Sequence, residues 1–233
     1  MTFQSQFHKA LLLNILKAIY SDEEISQLLG FKGGTALLIF YELNRFSVDL
    51  DFDLLDSNKK DLVFKKMEQL LGAHGILRNS EQKRFSLFFL LSYHNKVHNA
   101  PNIKIEINCR NFNSTYEQKL YMGTPIKVMV KQDMAAHKLV AMYERMGKAN
   151  RDIYDVCFML SAAWPVNAII ITNRTGMTYS DFLQACINKL ENLDHTSLLT
   201  GLGELLTPAQ RIWTREKLLH ETIFWLKEYL THT

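Results

Sequence analysis

Cysteine, proline and glycine are all scarce in this sequence, at 3, 4 and 10 of 233 residues. Cys109, Cys157 and Cys186 are odd in number and widely spaced, which excludes a disulfide framework and a CxxC metal knuckle and points to a reducing compartment. So few prolines and glycines, with no biased tract and no internal repeat, exclude long linkers and extensive disorder. No apolar run reaches membrane-spanning length. The opening segment MTFQSQFHKALLLNILKAIY interrupts its apolar patch with His8, Lys9, Asn14 and Lys17, so it reads as an amphipathic helix and not as a leader or anchor. An excess of one charge is also missing: a net charge of +3 and a pI near 8.6 are too mild to identify a nucleic-acid partner. The expectation is a soluble cytoplasmic protein with no membrane partner.

A hydrophobic fraction of 47% with 22% charged residues is ordinary globular composition, enough for one large domain or two small ones. Residues 4–29 read as helix, with a break near Ser21 where SDEE offers a capping start for a second helix. FKGG reads as a turn, TALLIFYEL as a short helix and RFSVDLDFDLL as a strand. Residues 58–73 form an amphipathic helix; 84–94 and 102–110 are strands of a hairpin, and 124–130 is a further strand. From Gln132 the texture turns helical, with two helices around the turn at Gly147–Asn150, another at 180–193 and a last one from about Pro208 to Tyr229. The fold class is α+β, with a mixed α/β domain over 1–131 and a helical bundle over 132–233.

The most informative stretch is GGTALLIFYELNRFSVDLDFDLL at 33–55. Asp49, Asp51 and Asp53 alternate with Val48, Leu50, Phe52 and Leu54, so the acids share one face of a strand and repel one another. Carboxylates at i and i+2 make a platform for a hard cation such as Mg²⁺, which takes oxygen ligands and shares them with substrate phosphates. Taken alone, a DxD is read more simply as acids solvated on an exposed strand face. Its context shifts that reading. Gly33 and Gly34 open the following helix, where bare backbone and free N–H groups can approach phosphate. Glu106, between Ile105 and Ile107, lies on a strand that could stand beside Asp49 and Asp51.

These elements, a GG[ST] turn, a helix, a strand with hDhDh and a later h[DE]h strand, resemble the polymerase-β-like nucleotidyltransferase superfamily. More narrowly, KGGTAL at 32–37 with RFSVDLDF at 45–52 resembles the AbiEii/AbiGii toxin group, which carries K-G-G-T-x-L and R-x-S-x-D-L-D-F. That group also has a helical motif similar to KLVAMYERMGKANRDIYD at 138–155, matched at Lys138, Leu139, Ala141, Arg145, Arg151, Asp152, Tyr154 and Asp155. The resemblance implies a nucleotidyltransferase-like mixed sheet with flanking helices. It makes Asp49 and Asp51 metal ligands and catalytic residues. Glu106 is either a third ligand or the base for the attacking hydroxyl. Gly33, Gly34, Thr35 and Ser47 bind nucleotide, Lys138 meets the triphosphate, and Asp152 is catalytic. Arg45 is expected to pair with an acid or with phosphate, Asp155 to orient Arg151 or Tyr154, and Asp53 to be a strand-end bystander.

Residues 136–151 carry four basic side chains, Lys138, Arg145, Lys148 and Arg151, against the single acid Glu144, a cluster suited to triphosphate or an RNA backbone and equally to a solvated helix face. Other motifs fail. His94 and His98 fall in the expected hairpin loop without a third ligand; no HExxH, P-loop, GxSxG or GxGxxG occurs. Trp213, Phe224, Trp225 and Tyr229 read as core or partner-facing residues. The resemblance therefore implies a Mg²⁺-dependent toxin of a toxin–antitoxin pair that transfers NMP from NTP to a hydroxyl, with tRNA the leading acceptor. Transfer to an antibiotic-like small molecule or a protein hydroxyl, and a non-catalytic interaction module, are the competing readings.

Overall fold

The computed structural model describes residues 3–93 and 102–232, and the chain divides into two compact units. The first comprises Met1–Glu42, Ser47–Asn111 and Tyr116–Met129; the second comprises Leu43–Phe46, Phe112–Thr115 and Val130–Thr233. Two short loops of the first stretch thus belong to the helical unit. His94 and His98 lie outside the described residues.

The first unit runs α1 (Phe3–Ser21), β1 (Leu29–Lys32), α2 (Gly33–Phe40), β2 (Asp49–Leu54), α3 (Lys60–Gly72), β3 (Ile76–Gln82), β4 (Ser86–Ser92), β5 (Asn102–Asn108), β6 (Tyr116–Tyr121) and β7 (Thr124–Met129). The seven strands form one mixed sheet in the order β3-β4-β5-β2-β1-β7-β6. β2 runs parallel to β5 and β1 parallel to β7; the other neighbours are antiparallel. One face of the central strands is apolar. Leu50 and Phe52 of β2, Leu87, Phe89 and Leu91 of β4, and Ile103, Ile105 and Ile107 of β5 are all buried there. Leu12, Ile15, Leu16 and Ile19 of α1 and Val63, Met67 and Leu71 of α3 are buried as well, and both helices pack on the sheet. Because side chains alternate along a strand, this one-sided burial leaves Asp49, Asp51, Lys104 and Glu106 on the opposite, partly exposed face.

Two local expectations give way. SDEE does not start a second helix: Asp22 Oδ1 accepts from the backbone N–H groups of Glu24 (2.9 Å) and Ile25 (3.2 Å), closing a turn instead. Of FKGG, Phe31 and Lys32 end β1, a short buried strand between β2 and β7, and Gly33 begins α2. Strands β3 and β6 and helix α6 below escape the sequence reading, since the first two are polar in sequence and mostly exposed.

The second unit holds α4 (Lys131–Arg145), α5 (Arg151–Ser161), α6 (Ala168–Thr175), α7 (Tyr179–Glu191), α8 (Pro208–Trp213) and α9 (Leu219–Thr231), with a π-helical step at Thr214–Leu218 joining the last two. Thr207 opens α8 with a full capping box to Gln210 and Pro208 in the first turn. Among the described residues no helix is long and apolar enough to cross a membrane.

Candidate active site

In the first unit, parallel pairing of β2 with β5 sets Asp51 directly opposite Glu106 and Asp49 opposite Lys104. The pairing continues to Phe88 beyond Glu106 and to Lys32 beyond Asp51, giving one row Phe88–Glu106–Asp51–Lys32 across four strands. Directly opposed side chains share a face and lie within reach of each other. The structure therefore brings Asp51 and Glu106 together. Glu106 is partly exposed and ion-paired along its own strand to Lys104 Nζ at 2.7 Å.

The Gly-Gly turn is fitted to Asp51. Gly33 has φ of +80°, and a Cβ there would stand 2.3 Å from Asp51 Oδ2, so only glycine admits the carboxylate against this backbone. Thr35 in the first turn of α2 is buried; its hydroxyl donates to the Asp49 carbonyl and shares a hydrogen bond of 3.0 Å with Ser47 Oγ. Thr35 and Ser47 thus hold the backbone that delivers Asp49. His8 of α1 assists from the other side. Its Nε2–H donates to the Val48 carbonyl at 3.0 Å, which leaves Nδ1 to accept from Tyr93 Oη at 2.8 Å. Burial lowers the His8 pKa, with the Val48 carbonyl and the Asp49 charge opposing it. No sequence motif marks His8, because its contacts are made across the fold.

Asp53 is more than a strand end. It is buried, and it accepts from Lys32 Nζ, Asn108 Nδ2 and Tyr116 Oη, each at 2.6 Å. Gly30 makes room for this: a Cβ there would sit 2.2 Å from the Tyr116 ring. The crowding of three aspartates on one strand is relieved in part by this tripod, with Lys32 supplying the opposite charge.

In the second unit, the α4–α5 motif builds a buried chain of charges. Arg45 donates through Nε and Nη2 to the two oxygens of Asp155 at 2.6 and 2.7 Å. Lys138 Nζ reaches Asp155 Oδ2 at 2.6 Å and Asp152 Oδ1 at 3.1 Å, and Arg145 Nη2 approaches Asp152 Oδ2 at 2.7 Å. Three cations thus hold two buried anions. Burial works to raise the Asp155 carboxyl, but the Arg45 and Lys138 charges prevail and hold it at about 2. Burial likewise pushes Lys138 down, and Asp155 and Asp152 together raise it. Asp155 therefore binds Arg45 and Lys138, a correction to the expectation that it orients Arg151 or Tyr154; the Tyr154 hydroxyl donates to the Asn44 carbonyl at 3.2 Å. Asn150, the last residue of the turn expected at Gly147–Asn150, pins it by accepting from the Gly147 N–H (2.8 Å) and donating to the Ser197 carbonyl (2.7 Å).

The donor set on β2 and β5 suits a hard cation, since all its members are carboxylate oxygens and Gly33 leaves one of them a close backbone approach. Among the described residues no three His, Cys, Asp or Glu side chains are placed to hold a metal by themselves, so a cation at Asp49 and Asp51 would share its coordination with substrate oxygens.

A mixed sheet whose acidic strand follows a glycine-opened helix defines a nucleotidyltransferase-like fold, and solved structures agree. A candidate nucleotidyltransferase from H. pylori aligns over 100% of this chain and 97% of its own, with a TM-score of 0.66 and 20% identity. JHP933 from Helicobacter pylori gives 0.63 and 19%, over 100% of this chain and 94% of its own. The nucleotidyltransferase toxin MenT4 from Mycobacterium tuberculosis gives 0.54 and 16%, over 97% and 89%. No curated protein sequence matches the chain. Residues 14–175 match the model of the nucleotidyl transferase AbiEii toxin family of type IV toxin–antitoxin systems, and the chain belongs to that family. Membership makes it a nucleotidyltransferase toxin and implies an NTP substrate and a cognate antitoxin.

Proposed function

We propose that the chain transfers a nucleoside monophosphate from an NTP to an RNA hydroxyl, with tRNA the acceptor, in a reaction that needs Mg²⁺ held by Asp49 and Asp51. The observation that carries this reading is the in-register placement of Asp51 beside Glu106, with the Gly33 backbone closed against the Asp51 carboxylate. The hydroxyl oxygen bonds to the α-phosphorus as the bond from that phosphorus to pyrophosphate breaks, and the hydroxyl proton leaves to a base. Mg²⁺, when bound, supplies positive charge to the phosphate oxygens as the displacement proceeds.

The chain's own groups set the stage for that step. Thr35, Ser47 and His8 fix the backbone on either side of Asp49, and Asp53 draws the Lys32 ammonium to itself. Gly33 and Gly34 offer backbone to the phosphates. Glu106 either joins Asp49 and Asp51 at the cation or takes the hydroxyl proton, and either role requires it to give up its Lys104 partner. By the family resemblance, Lys138 is assigned to the nucleotide and Asp152 to catalysis, and Arg145 joins Lys138 at the nucleotide as a member of the same basic cluster. Incubation of the purified protein with radiolabelled NTPs, Mg²⁺ and total RNA, protein or small-molecule acceptors tests the proposal. Label should enter tRNA with the wild type and vanish with Asp49→Ala or Asp51→Ala, both still folded. Labelling by folded Asp51→Ala at the wild-type rate would overturn the metal assignment, and label found only in protein or small molecules would overturn the acceptor.

A further inference from the structure

Beyond the acidic strand, the same unit carries a second surface, basic and aromatic. At the β3–β4 turn Phe85 is 43% exposed, a large apolar ring in solvent. The Arg84 guanidinium lies over it at 4.8 Å from the ring centre and the Arg110 guanidinium at 4.6 Å. Lys83 Nζ stands 5.3 Å over the ring of Phe88, which is the Glu106 neighbour in the row that includes Asp51. Lys60 Nζ donates to the carbonyls of Lys83 (2.5 Å) and Arg84 (3.2 Å), bringing a fourth cation to the turn.

The surface is built and not loose. The Phe85 carbonyl accepts from the Cys109 N–H at 2.9 Å, and the Lys83 N–H donates to the Ser86 carbonyl at 2.9 Å. Asn108 Nδ2 donates both to Asp53 and to the Arg110 carbonyl, so the segment bearing Arg110 is tied to the acidic strand itself. Five cations, counting Lys104, here face three acids: Glu81, paired with Lys83, Asp61, engaged by Gln82, and Glu106, paired with Lys104 beside Phe88. The surplus is positive, and it surrounds rings.

We infer that this surface holds the RNA acceptor as a single strand, with bases stacking at Phe85 and Phe88 and phosphates meeting Arg84, Arg110 and Lys60. Single-stranded nucleic acid is bound by this combination: rings accept any base on their faces, and cations follow the backbone. Arginine planes also stack on unpaired bases and bind phosphate in the same contact. The row Phe88–Glu106–Asp51 then leads the strand toward the carboxylates. The inference rests on RNA being the acceptor.

Binding is measured directly, by fluorescence anisotropy with labelled tRNA and with a short single-stranded RNA, so that it does not depend on transfer activity. Arg84→Glu with Arg110→Glu should weaken both RNAs about a hundredfold and lower the salt dependence by about two phosphate contacts. Phe85→Ala should weaken single-stranded RNA about tenfold with an unchanged salt slope, because stacking carries no counterion release. NTP binding by calorimetry should stay as in the wild type. Equal RNA affinity in wild type and both variants overturns the inference while leaving the nucleotidyltransferase reading intact. RNA binding lost in the variants of a protein that transfers nothing to RNA supports the surface and removes the acceptor reading instead.

Discussion

Arg45 and Asp155, 110 residues apart in sequence, form a two-pronged ion pair in which both side chains are almost wholly excluded from solvent, at 1% and 0% exposure. The fork of the guanidinium matches the two carboxylate oxygens, and Lys138 completes the second oxygen. Replacing such a pair with apolar residues can be neutral, but breaking it leaves a buried charge uncompensated. Arg45→Ala should therefore destabilise the protein by about 3–5 kcal/mol. Urea unfolding followed by circular dichroism checks it; a loss below about 1 kcal/mol would mean that the pair is hydrated in solution.

The same site sets a pH dependence. Asp155 is held at about 2 against an ordinary 3.8. A depressed carboxyl contributes stability that is present above its unfolded value and lost as pH falls through its folded one. The wild type should lose about 1.5–2 kcal/mol between roughly pH 4 and pH 2 beyond what Asp155→Asn loses over the same range. Lys138 is raised above 10.5, so its share is complete below that value and lost only as pH climbs through the raised one. Stability from this network is accordingly flat across neutral pH. Unfolding midpoints of wild type and Asp155→Asn taken along a pH series provide the comparison.

Gly33 and Gly123 separate backbone strain from active-site damage. Both have φ of +80°, but a Cβ at Gly33 collides with Asp51 whereas one at Gly123 meets nothing within 4 Å. Each alanine variant should lose about 1–2 kcal/mol of stability for the left-handed backbone. Only Gly33→Ala should also lose transfer activity, by about a hundredfold, because the carboxylate must move. Equal transfer rates in the two variants would detach Gly33 from the chemistry.

The acidic strand was legible in sequence because period-two alternation is a local signal, and so was the α4–α5 pair with its turn. What the sequence could not show was pairing at a distance. That β2 lies parallel to β5, so that Asp51 meets Glu106, depends on strand order, which no local pattern encodes. Arg45 could be read as a partner for some acid, but its partner lies on a helix over a hundred residues on, in the second unit. Short β1 was hidden by two glycines that punctuate it, and Asp22 gave a true capping signal that closes a turn instead of a helix. The partners of Asp53 are hidden for the same reason: its three donors come from β1, β5 and β6.

Those three donors make Asp53 a strong test of how β2 is held. Hydrogen bonds to a charged group contribute about 1.5–3 kcal/mol each, and a donor stripped of its acceptor in a buried site costs more than one returned to water. Tyr116→Phe removes one bond and leaves the ring over Gly30, so it should cost about 1–2 kcal/mol and spare transfer activity. Asp53→Ala removes the bonds from Lys32 and Asn108 as well, leaving Asn108 only the Arg110 carbonyl, and should cost more than twice as much. The Lys32 ammonium, directly across from Asp51 in the strand register, then loses the carboxylate that draws it aside. Asp53→Ala should consequently need more Mg²⁺ for half-maximal transfer, and Lys32→Met in the same background should restore the wild-type requirement. A Mg²⁺ titration of the three proteins, run beside their unfolding curves, distinguishes this from simple destabilisation: an unchanged Mg²⁺ requirement in folded Asp53→Ala would leave Asp53 with a structural role alone.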